Sequence, residues 1–187
     1  LQPQETSGTF MVNGMLDKVQ GRGKMDVVKD LAYPLPVTVI SKLLGLPPET
    51  RDRVKQWSSS VIEFQATPRP TPAVLLRSQE ALLNLRALVR QVGEQRLREP
   101  QDDLISALVT AEEKEEKLTE DELLSTCVTL VIGGHETTTN LITSGILALL
   151  EHPHQLQKLR NEPGLIETAV EEFLRYESPF QRNGRVA

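Results

Sequence analysis

The sequence predicts a mainly α-helical protein, and three observations carry that reading. Apolar residues recur at helical intervals, as in Leu75, Leu82, Leu85, Val89 and Val92. Alternating strand patterns are almost absent. Prolines, glycines and capping residues punctuate the chain about once per helix.

The elements follow in order. Residues 1–10, LQPQETSGTF, show no clear periodicity and stay unplaced. Met11, Met15 and Val19 fall at helical spacing, and the GRGK stretch at 21–24 ends that helix. Pro34 and Pro36 precede a short apolar helix from Val37 to Leu44, which Gly45 closes. Pro47-Pro48 opens another helix at its first turn. TPRPTP at 67–72 is a proline-stiffened loop, because each proline fixes its own φ and disfavours helix before it. A long amphipathic helix then runs over 74–97, and a shorter one over 101–110. AEEKEEK at 111–117 reads as a solvated charged loop or a fraying helix end.

Thr119 and Glu122 have capping-box spacing, so the longest helix starts there and runs to about 151, with Pro153 beyond it. Two further helices, 154–161 and 165–176, are separated by NEPG, and the tail SPFQRNGRVA reads as extended.

Composition sets the outer limits. With 187 residues the chain can bury one sizeable core, and with aromatic content of only 4% that core must be aliphatic. A net charge of −5 offers no basic face for nucleic acid. Leu123–Ile132 is the most apolar segment, well short of the ~20 residues a membrane span needs. No basic and apolar leader opens the sequence, and the single cysteine, Cys127, cannot form an internal disulfide. These features predict a cytoplasmic protein.

One octet breaks the pattern. The apolar residues of 123–132 cover nearly every side of the long helix, which predicts a central position. GGHETTTN at 133–140 follows at once and lowers helix propensity by roughly 4 kcal/mol relative to alanine. Glu136 adds a carboxylate that is costly to bury unpaired. Two accounts are open. Gly133-Gly134 can allow close packing while the threonines bond to carbonyls one turn back. Alternatively, the glycines loosen the helix into a groove for a small ligand, with Glu136 and Thr137 as an acid and a hydroxyl beside it. Metal ligation by this segment is not predicted: it lacks the second histidine of HExxH, and His152-Pro153-His154 reads as a surface turn.

Two motifs together resemble a known family. VIGGHETTTN resembles the distal-helix signature (A/G)-G-x-(D/E)-T of the cytochrome P450 haem-thiolate monooxygenases, and EEFLRY contains an E-x-x-R match. LAYPLPVTVISKLLGLPPETRDRVKQW is similar to the soluble bacterial members. The resemblance covers 11–187 and implies the helical core of that fold, a single partial domain built on the distal helix at about 119–151.

It also implies roles. Gly133 and Gly134 would lie over the haem face where dioxygen binds. Glu136 and Thr137 would deliver protons during dioxygen activation. Glu172 and Arg175 would form a buried supporting ion pair, although spacing alone allows Arg175 to pair with Glu171 equally well. Arg185 would pair with a haem propionate, SPFQRN would border the substrate pocket, and TPRPTP would cover the access channel. The implied cofactor is haem b, and the implied partners are a small organic substrate and a ferredoxin or flavoprotein electron donor.

The family's cysteine follows a Phe-Gly-x-Gly stretch, which this sequence does not contain. The expectation is therefore an incomplete, central fragment that is inactive alone and lacks the thiolate ligand. The competing reading is a non-catalytic helical interaction module.

Overall fold

The computed structural model describes residues 2–110 and 118–181. The charged segment 111–117 and Arg185 lie outside these. Among the described residues all regular structure is helical, in eight α-helices with short tight turns between some of them. They are α1 (Gln2–Gln20), α2 (Pro34–Leu44), α3 (Arg51–Ala66), α4 (Pro72–Arg98), α5 (Leu104–Thr110), α6 (Glu120–Glu151), α7 (Pro153–Asn161) and α8 (Ile166–Tyr176).

Local chemistry explains most boundaries. Helix α2 ends in a Schellman motif. The Leu46 amide donates to Ser41 O at 2.8 Å, the Gly45 amide donates to Lys42 O at 3.1 Å, and Gly45 takes φ +75°. Thr71 caps α4, its Oγ1 accepting from the Val74 amide at 3.3 Å, with Pro72 in the first turn. Helix α6 opens on the predicted capping box. Glu122 Oε2 accepts from the Thr119 amide at 2.8 Å, and Thr119 Oγ1 accepts from the Glu122 amide at 3.3 Å.

Three elements differ from expectation. Helix α1 begins at Gln2 and takes in the aperiodic stretch, although Phe10 and Leu16 stay exposed and Val19 is buried in the core. Val28–Ala32 forms a π-helical turn, with Asp26 accepting from the Lys29 amide at 3.0 Å. Helix α2 starts at Pro34, because prolines in a first turn have no amide to satisfy.

The chain divides into two compact units, residues 36–135 and residues 1–35 with 136–187. The first contains the aliphatic core. Val37, Ile40 and Leu44 of α2 meet Val54 of α3, Leu85, Val89 and Val92 of α4, Ile105 of α5, and Leu124, Cys127 and Val131 of α6. Arg77 pairs with Glu63 at 3.0 Å between α4 and α3. Arg86 and Arg90 of α4 pair with Asp121 and Glu120 at the start of α6.

In the second unit, α6 and α8 pack closely at Gly145: a Cβ there would lie 2.9 Å from Phe173 Cδ2. The His152 and Tyr176 rings meet edge to face, centroids 6.0 Å apart. No helix among the described residues is long and apolar enough to cross a membrane.

Candidate functional site

Helix α6 is amphipathic through its apolar run. Leu123, Leu124, Cys127 and Val128 are buried, while Ser125, Thr126, Thr129 and Leu130 are exposed. The expectation of a helix buried all round is therefore corrected. Two buried residues alternate with two exposed ones, which is the 3.6-residue period of a one-sided helix. The buried stripe continues as Val131, His135 and Thr139, all under a tenth exposed.

The helix also runs unbroken through 133–140, so the two glycines do not loosen it into a groove. Burial of neighbouring turns outweighs the propensity loss. The glycines instead change the helix surface. Gly133 is exposed, and a Cβ on it would meet nothing within 4 Å. Gly134 faces Ile40, whose Cδ1 would lie 3.3 Å from an added Cβ.

Gly133, Glu136, Thr137 and Asn140 recur at i, i+3, i+4 and i+7, so they share one face of α6. That face is bare at Gly133 and carries half-buried Glu136 and Thr137 one turn later. Burial pushes the Glu136 carboxyl above its usual range. Its Oε2 is buried and has no hydrogen-bond partner among the described residues. Asn140 Nδ2 reaches Pro179 O at 3.5 Å, a long contact.

His135 sits on the opposite, buried side. It is fully buried, and its Nδ1 lies 3.3 Å from the equally buried Ser58 Oγ of α3. Burial, together with the charge of Lys55, lowers its pKa to about 4, so the ring is neutral at physiological pH. In the sequence this histidine is only half of a failed zinc motif. Its place on the 124–128–131–135 stripe was the available signal.

Glu172 is the partner of Arg175: Nε donates to Oε2 at 2.7 Å and Nη2 to Oε1 at 2.6 Å. The bidentate pair selects Glu172 over Glu171. It is not buried, however, since its side chains are 70% and 55% exposed for Arg175 and Glu172. The two residues stand i,i+3 on α8, both largely exposed.

A buried ion pair exists where no motif announced one. Arg96 Nε donates to Asp103 Oδ2 at 2.6 Å, and Arg96 Nη2 donates to Gly45 O at 2.9 Å. Burial works against ionisation of Asp103. The Ser106 amide, donating to Oδ1 at 2.8 Å, and the Arg96 guanidinium outweigh it and hold the carboxyl below its usual range. The signal was Arg96 falling on the α4 stripe of Leu85, Val89 and Val92.

Cys127 is a free, fully buried thiol, and burial pushes its pKa up to about 11. Such a thiol carries negligible thiolate.

Known proteins resemble this chain along most of its length. The Cytochrome P450 family model matches residues 74–182. The chain is 47% identical to the biotin biosynthesis cytochrome P450 of Bacillus subtilis, over 94% of this chain and 44% of that protein. It is 42% identical to cytochrome P450 CYP107DY1 of Priestia megaterium, over 95% of this chain and 42% of the relative. A crystal structure of P450BioI in complex with hexadec-9Z-enoic acid ligated acyl carrier protein superposes with a TM-score of 0.87. There the identity is 44%, covering 95% of this chain and 46% of the other. The chain spans less than half the length of the curated relatives it matches.

Proposed function

The chain belongs to the cytochrome P450 family, and on that premise we propose that it forms part of a haem-dependent monooxygenase acting on a small organic substrate. The observation that carries the reading is the strip on α6, bare at Gly133 and followed one turn later by half-buried Glu136 and Thr137.

These residues fit a haem face. The empty space at Gly133 lets a flat group approach the helix, and the unpartnered Oε2 of Glu136 offers a buried polar group beside it. When bound, haem b supplies the redox chemistry that places one atom of dioxygen in the substrate, which amino-acid side chains cannot supply. The protein's own contribution is shape and protons. Gly133 keeps the strip low, and Gly134 lets α6 lie close against Ile40. Burial pushes the Glu136 carboxyl above its usual range, and this acid and the Thr137 hydroxyl would be the groups that hold and move protons at the strip.

Arg185 would hold a propionate, and Glu172 with Arg175 would support the haem-binding core. The iron's thiolate would come from a cysteine other than Cys127, which is sealed in the α6 stripe. Electrons would come from a ferredoxin or flavoprotein in the cytoplasm. A non-catalytic helical module is the weaker reading, because it gives the half-buried Glu136 carboxyl nothing to do.

Gly133→Leu in the holoenzyme tests the assignment. Leucine is the better helix former by roughly 0.8 kcal/mol, so the fold should be no less stable. Carbon monoxide should bind the reduced haem more weakly, because the new side chain occupies the strip. Unchanged carbon monoxide affinity would contradict the assignment.

A further inference from the structure

His135 and Ser58 are 77 positions apart in sequence, both fully buried, and joined by a contact of 3.3 Å between Nδ1 and Oγ. Neither belongs to the strip assigned above. The direction of that hydrogen bond follows from Ser58's other contact. A serine has a single O–H to donate, and Ser58 Oγ already donates to Lys55 O at 3.0 Å. Its oxygen is therefore the acceptor at the longer contact, and the ring of His135 is the donor. Burial keeps this imidazole neutral, so the proton resides on Nδ1.

The position of this bond on α6 gives it a use. The rest of the buried stripe, Leu124, Cys127, Val128 and Val131, holds the helix through apolar contact, which is non-directional, and the directional ties to α4, from Arg86 and Arg90, lie in its first two turns, well before the strip. A hydrogen bond between two buried groups is directional and sets that roll. It is made immediately after Gly133-Gly134, where helix propensity is lowest, and immediately before Glu136 and Thr137. Successive helix residues are about 100° apart, so whatever fixes His135 also fixes the directions of the next two side chains.

We infer that His135 is a positioning residue for the Glu136–Thr137 pair, acting as an Nδ1-protonated imidazole that donates to Ser58 Oγ and fixes the roll of α6. This rests on the monooxygenase reading above.

The experiment compares His135→Leu, His135→Asn, Ser58→Ala and Thr137→Ala holoenzymes by product formed per reductant consumed. It adds ¹⁵N NMR of the imidazole in the parent protein, which reads the tautomer without turnover. Asparagine places an amide N–H near the position of Nδ1–H, so His135→Asn should keep the parent ratio. His135→Leu and Ser58→Ala should each lower it roughly fivefold, the factor set by one net hydrogen bond, and combining them should add little.

If His135→Leu does not fold, Ser58→Ala against His135→Asn reads the same contrast. A parent ring protonated at Nε2 would overturn the inference. So would a leucine or Ser58→Ala variant coupled like the parent while Thr137→Ala uncouples. Full coupling in Thr137→Ala itself would instead sink the monooxygenase role of the strip.

Discussion

A Cβ placed on Gly45 would lie 2.1 Å from Oδ2 of Asp103, the oxygen that receives the Arg96 guanidinium. The clash has no easy relief, because Asp103 is held on both oxygens, by Arg96 and by the Ser106 amide. Gly45 also takes φ +75°, where any other residue is strained. Gly45→Ala should therefore cost roughly 2–5 kcal/mol, measured by denaturant unfolding. A cost under about 1 kcal/mol would show that the turn and the ion pair are not tied together.

Removing one partner of that ion pair should hurt more than removing both. Arg96→Met leaves a buried carboxylate and frees Gly45 O, for an expected loss of roughly 3–5 kcal/mol. Adding Asp103→Leu to it should recover part of the loss, because an apolar pair of similar size leaves no buried charge. The double variant being less stable than Arg96→Met would contradict this.

His135 makes stability depend on pH in a defined direction. Its folded pKa is about 4 against 6.5 for the free side chain, so the unfolded chain binds more protons between those values. The contribution is complete above pH 6.5 and is lost as pH falls toward 4. Between pH 7 and pH 4.5 the parent should lose roughly 2 kcal/mol more than His135→Asn does, read from urea unfolding at the two pH values. Equal losses in both proteins would show that this ring titrates normally.

Much of this architecture was legible in the residues. The capping box at Thr119 and Glu122, the stop of α6 before Pro153 and the glycine stop at Gly45 are local signals, and each placed a helix end within a few residues. Helix α1 was half missed because residues 2–10 have no apolar period.

The buried residues were harder to read. Arg96 on an apolar stripe and His135 in a motif both look like surface or ligand candidates until a partner is known. Those partners, Asp103 and Ser58, lie 7 and 77 positions away. The extent of burial on α6 is hard to read for a related reason. The residues of 123–132 are apolar on nearly every side, but only one of those sides meets the core.

The account stands most directly on Thr137. Its hydroxyl shares a face with bare Gly133 and follows the buried carboxyl of Glu136, and it is proposed to pass protons to dioxygen chemistry at the haem. The deciding measurement is product formed per reductant consumed in the Thr137→Ala holoenzyme, with the parent as control. The account predicts continued consumption of reductant with a large fall in product, roughly tenfold or more for the loss of one proton-transfer group. A ratio equal to that of the parent would contradict it.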